Sequence, residues 1–213
     1  MKLRNLTVLA VVMMSASAFG ATGIYGAYVT VNGTKYKSFS SYGGAEPVLN
    51  GADLGNMTVG SSSLTISQFE TLTFQNSGHS TFEFAFAYRV RLASAAQSTN
   101  PADYSFVAMG NGNDIGSGNE KAEVTGATID LLSGISAPVS PTTTVYAVDV
   151  IHKAGAWEGG SNFERLANVN NANPGSTNWG STDAFTATFT VIPEPSAAAL
   201  GVIGMAFLLR RRK

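Results

Sequence analysis

From Thr81 to Arg91 the chain alternates with period two: Phe82, Phe84, Phe86, Tyr88 and Val90 fall on one side, and Glu83, Ala85, Ala87, Arg89 and Arg91 on the other. Only an extended strand sends every second side chain to one face, so the segment predicts a strand with an aromatic core face and a wet outer face. A second such segment closes the middle of the chain, where Phe185, Ala187, Phe189 and Val191 alternate with Ala184, Thr186, Thr188 and Thr190. Near the start, Tyr28–Val31 and Thr34–Lys37 flank Asn32-Gly33, the dipeptide best suited to a two-residue turn with positive φ at both positions. Thr144 to His152 is apolar on both faces apart from Asp149, which predicts a central strand.

Further strands are predicted over Leu64–Ser67, Leu72–Gln75, Tyr104–Met109 and Glu123–Leu132. Eight to ten short strands, Gly/Asn/Ser turns and no long helix predict an all-β fold, an antiparallel β-sandwich of jelly-roll kind. A β-helix is the alternative, although no internal repeat of fixed period supports it.

At 213 residues the chain can bury a full core as one domain without disulfides or a metal. It has no cysteine, which excludes disulfide scaffolds, thiolate metal sites and thiol nucleophiles. Six of its thirteen basic residues sit at the two ends, so between Ala21 and Ile192 seven Lys and Arg face thirteen Asp and Glu. That segment, at −6, repels a phosphate backbone, and no nucleic-acid partner is expected.

Both ends have the composition of addresses. Residues 1–20 run from Lys2 and Arg4 through an apolar stretch, Leu6 to Met14, to Ser15-Ala16-Ser17-Ala18, the three-part pattern of a signal peptide cleaved after Ala18 or after Gly20. Residues 21–192 then form the β domain, and residues 193–213 a tail. The tail reads Pro193-Glu194-Pro195-Ser196, an uncharged stretch from Ala197 to Leu209, and Arg210-Arg211-Arg212-Lys213. As a helix, Ser196–Leu209 spans about 21 Å, short of the roughly 30 Å of a hydrocarbon core. Snorkelling of the four basic side chains helps it cross, and Pro195 starts the helix without wasting a donor. The positive-inside rule leaves those cations in the cytoplasm and the β domain outside, as the signal peptide also requires.

Pro-Glu-Pro, a short Ala/Leu/Gly-rich stretch and a terminal Arg cluster resemble the PEP-CTERM sorting signal, over roughly the last twenty residues. The resemblance implies recognition at Pro193, Glu194 and Pro195 by exosortase, a membrane-embedded transpeptidase-like enzyme. It also implies that the tail is a transient inner-membrane anchor, with Arg210, Arg211, Arg212 and Lys213 as its cytoplasmic basic end. The destination implied is the envelope or extracellular matrix of a bacterium that makes exopolysaccharide. A permanent C-terminal anchor is the alternative. The run Leu64–Ile66, Thr71–Gly78 and the aromatic strand ending Tyr88-Arg89-Val90 weakly resembles exported bacterial β-domains of unassigned function, which implies a fold and no activity.

Chemistry is sparse in the middle. The two histidines, His79 in a predicted hairpin loop and His152 at a strand end, read as ordinary surface or strand-end residues, and no Gly-x-Ser-x-Gly elbow is present. A glycosidase would need two convergent carboxylates, for which Glu83, Glu123, Asp130 and Asp149 are candidates. Asp149, in an apolar strand, requires a salt bridge or hydrogen bond. The Gly110–Glu120 segment has calcium-like oxygen ligands but not the spacing of a calcium loop, so it reads as a surface loop, and no cofactor is expected. Trp157 and Trp179, each beside Asn, Gly or Glu in predicted loops, could form a glycan platform. Three functions follow: a non-enzymatic structural or adhesive matrix module, a carbohydrate-binding module for exopolysaccharide, and a secreted glycan hydrolase or lyase.

Overall fold

The computed structural model describes residues 23–40, 44–74, 79–98, 100–139, 142–158, 164–168 and 184–194. The predicted signal peptide and the tail after Glu194 lie outside them. Among the described residues the regular structure is all strand apart from one short 3-10 turn at Pro101–Asp103. One sheet has the order β2-β1-β4-β8-β7, built from β1 (Gly23–Val31), β2 (Thr34–Ser40), β4 (Thr65–Phe74), β7 (Asn113–Gly116) and β8 (Asn119–Asp130). The other has the order β3-β11-β9-β5-β6, built from β3 (Asp53–Thr58), β11 (Phe185–Ile192), β9 (Thr144–Glu158), β5 (His79–Leu92) and β6 (Ser105–Gly110). A further strand, β10 (Glu164–Asn168), pairs with the distal half of β9.

The all-β expectation is met, but the pairing is mixed. β3 and β11 run parallel, whereas the other strand pairs are antiparallel. β3 follows a strand of the first sheet and β11 is the last strand among the described residues, so no tight turn fixes their relative direction. The β1–β2 hairpin turns at Asn32 (φ 47°) and Gly33 (φ 78°), as its sequence requires.

Bulges set which side chains reach the core. In β4 the register shifts between Ile66 and Gln68, and Ile66, Phe69 and Thr71 are all buried although Ile66 and Phe69 are three apart. One inserted residue exchanges the faces of the strand at that point. The predicted strands Leu64–Ser67 and Leu72–Gln75 are therefore parts of one bulged strand. β1 does the same between Ile24 and Gly26, so that Ile24 and Ala27 both point inward.

Residues of both sheets share one core, in which Phe69 of β4 stacks on Phe86 of β5 with ring centroids 4.3 Å apart. In β11, Phe185, Ala187, Phe189 and Val191 are buried as the alternation requires. The outer face of β5 is not uniformly wet. Ala87 is fully buried in a second cluster with Tyr104, Ile151 and Ala184, because Tyr104, just after the 3-10 turn, packs back over the sheet.

Candidate functional site

β11 is hydrogen-bonded on both sides, to β9 and to β3, up to Val191 and Ile192. The Pro-Glu-Pro segment, which resembles a sorting signal, begins at the next residue. Pro193 and Glu194 are described and Glu194 is exposed, with its carboxylate against Gly60 in the turn after β3. Pro195, Arg210, Arg211, Arg212, Lys213 and Trp179 lie outside the described residues, as does the predicted spanning segment; among the described residues no helix is long and apolar enough to cross a membrane. Trp157 is not in a loop: its backbone lies in β9, paired to Ser80 of β5 and Glu164 of β10. The glycines around it suggested a loop, but strands on both sides complete the ladder.

Asp149 of β9 has no solvent exposure and is fully partnered. Arg91 reaches diagonally from β5, donating from Nε to Oδ2 at 2.7 Å and from Nη2 to Oδ1 at 3.0 Å. Thr186 of β11 donates to Oδ1 at 2.7 Å, and Gln97, from the loop after β5, approaches Oδ1 at 3.5 Å. The salt bridge and loop contact expected of this buried carboxylate are both present. Tyr104 is held above its usual pKa, first by burial and then by the charge of Asp149.

His152 is the main correction among the candidate residues. It is completely buried in β9, which runs six residues beyond it, and not at a surface or strand end. Thr71 Oγ1 lies 3.0 Å from Nδ1, Ser38 Oγ lies 3.3 Å from Nε2, and Phe86 meets the ring edge-on. Burial lowers its pKa to about 3, so the ring is neutral. Ser38 and His152 are enclosed by the two sheets and serve as a satisfied polar bridge across the core. His79 opens β5; its side chain lies outside the described residues.

Of the four candidate carboxylates, the three whose side chains are described, Glu123, Asp130 and Asp149, share no hydrogen-bond partner. Glu123 of β8 pairs with Lys121 at 2.7 Å and accepts from Gln68. The hydrogen bond between the two lowers the Glu123 pKa and raises that of Lys121. Asp130 accepts the backbone N–H of Leu132 at 2.9 Å, Asp149 is occupied as above, and the Glu83 side chain is outside the described residues. The Gly110–Glu120 segment is not a plain loop but the β7–β8 hairpin, turned by positive φ at Gly116, Ser117 and Gly118, where Asp114 accepts the N–H of Gly116. Among the described residues no three His, Asp or Glu side chains gather as metal ligands.

Among the described residues a groove of about 390 Å³ is lined by β5, by Asp103 and Ser105 at the start of β6, and by the end of β8 with the turn after it. Tyr88, Arg89, Asp103, Ser105, Asp130 and Ser133 supply its polar lining, with Val90 and Leu131 on its apolar side. Arg89 Nη1 is buried without a hydrogen-bond partner, and the nearest carboxylate oxygen, Asp103 Oδ2, is 3.9 Å away. Sequence reasoning placed Arg89 on a wet strand face and did not single out Asp103, because the residues meet only through the topology. No protein-family model matches the chain, and no curated protein is similar to it. The likeness of the tail to the PEP-CTERM signal rests on the tail residues themselves.

Proposed function

We propose that this is an exported envelope or matrix protein, a non-enzymatic structural or adhesive module sorted by exosortase through Pro193-Glu194-Pro195. The β domain is a two-layer sandwich of jelly-roll kind outside the cell. Its strands cross between the sheets five times in chain order, as Greek-key folds do, and residues of both sheets share one core. The signal peptide is removed, Ser196–Leu209 crosses the inner membrane transiently, and Arg210–Lys213 remain in the cytoplasm.

The observation that carries the reading is the absence of a spacer. A fully paired strand ends at Ile192 and the motif starts at Pro193, so the folded module and the sorting signal are joined directly. Charge supports the same orientation. The connecting segments at the end where β11 leaves, 32–33, 59–64, 93–104, 131–143 and 193–194, carry only Asp103 and Glu194, and no cation lies between Arg165 and Arg210. The sequence flanking the apolar stretch thus carries cations on its far side and none over the forty-four residues before Arg210, the asymmetry that fixes membrane orientation. A second reading, a carbohydrate-binding module for exopolysaccharide, is favoured by the polar groove beside Arg89.

Mass spectrometry of both termini of the protein recovered from its native envelope tests the sorting. The expected product starts after Ala18 or Gly20 and lacks Arg210–Lys213. A mature protein that keeps those four residues would contradict sorting with tail removal.

A further inference from the structure

We propose that the groove between β5, β6 and the end of β8 binds a neutral sugar residue, held by Arg89, Asp103, Asp130, Ser105 and Ser133; this deepens the carbohydrate-binding reading and is independent of the sorting signal. The groove, at about 390 Å³, falls at the small end of the range for small-molecule sites, roughly 300–1,000 Å³, and suits one or two sugar rings.

Charge selects among ligand chemistries. Asp103 and Asp130 both line the groove, so a phosphate or a uronate would meet two carboxylates for one guanidinium. An amine or metal cation would meet Arg89, whose Nη1 sits buried at the same place. A neutral polyol satisfies every group at once. Its hydroxyl hydrogens donate to the carboxylates, its hydroxyl oxygens accept from Arg89, and the serine hydroxyls act in either direction. Val90, half-buried at the groove wall, offers the small apolar contact available to the C–H face of a pyranose.

The unpartnered Arg89 Nη1 gives the groove a reason to take a ligand. Arg89 Nη1 is a buried donor without a hydrogen bond, 3.9 Å from Asp103 Oδ2, and a hydroxyl oxygen of a ligand supplies an acceptor. Asp103 Oδ2, the oxygen that faces Arg89, already accepts a hydrogen bond from the Ser98 hydroxyl. Its carboxylate is therefore positioned before any ligand arrives.

Saturation-transfer NMR on the full-length chain, in a zwitterionic detergent free of sugar, tests this with the methyl glycosides of glucose, galactose and mannose as probes, and with glucuronate and glucosamine as charged controls. At least one neutral glycoside should receive saturation, and both charged sugars much less. Arg89→Gln should weaken binding by about tenfold or more, the worth of a charge-assisted hydrogen bond. Ser133→Ala, at an exposed turn, should weaken it without affecting the fold. Trp157→Ala should leave it unchanged. Transfer to none of the neutral probes, stronger transfer to a charged sugar, or loss in Trp157→Ala with none in Ser133→Ala would each overturn the assignment.

Discussion

Arg91→Met would leave Asp149 fully buried, with Thr186 at 2.7 Å and Gln97 at 3.5 Å as its remaining donors. The substitution removes two charge-assisted bonds, of 2.7 and 3.0 Å, and leaves the carboxylate desolvated. Breaking a buried pair from one side costs about 3–5 kcal/mol, because the surviving charge has lost its countercharge and has no water in its place. Arg91 Nη1 also donates to the carbonyls of Leu92, Ala93 and Ala95, so the upper half of that range is expected. For a protein of this size about 1 kcal/mol moves Tm by about 2–4 °C, which makes the expected fall about 8–20 °C. Thermal melts followed by far-UV circular dichroism read it directly. Asp149→Leu and the double variant complete a cycle in which the double should lose much less than the sum of the singles, with a coupling of about 2–3 kcal/mol. Additive losses, or an Arg91→Met shift under about 2 °C, would refute a buried, coupled ion pair.

His152 has a folded pKa of about 3 against about 6.5 unfolded. As pH falls below about 6.5 the unfolded chain takes up a proton that the folded chain refuses, so stability should drop by up to about 1.4 kcal/mol per pH unit down to about pH 3. Urea midpoints between pH 7 and pH 5 should decline in the wild type and stay flatter in His152→Gln; equal slopes would assign the decline to other groups. Gly60→Ala should cost about 1–2 kcal/mol, because φ is +87° and the new Cβ meets Glu194 Oε1 at 3.0 Å. Adding Glu194→Ala should recover only the contact, and a neutral Gly60→Ala melt would reject the strained turn. Phe86→Ala should cost about 3–5 kcal/mol by opening the stack with Phe69, and a loss below about 1 kcal/mol would place the core elsewhere.

The elements legible in sequence are those whose pattern is local. Asn32-Gly33 turns because its φ angles demand those residues, β5 and β11 alternate because one face of each is buried, and the apolar run of β9 marks a strand covered on both faces. Asp149 announced a partner, though only the structure shows that Arg91 supplies it. Elements set by tertiary pairing were missed. β3, Asp-Leu-Gly-Asn-Met-Thr, has weak strand propensity and forms against β11. β7, Asn-Asp-Ile-Gly, is turn-like in composition and exposed at every residue, held as a strand by β8. His152 looked terminal because the apolar run stops there, whereas β9 continues through Lys153-Ala154-Gly155 between β5 and β10. The groove draws on residues 88–90, 103–105 and 130–133, and no local pattern connects them.

Export is the central claim, and a topology reporter fused after Ile192 tests it most directly. Alkaline phosphatase at that position should be active, because it requires the compartment outside the inner membrane, and a fluorescent reporter that matures only in the cytosol should be dark. A dark phosphatase and a bright cytosolic reporter would contradict export and, with it, the sorting role of the tail.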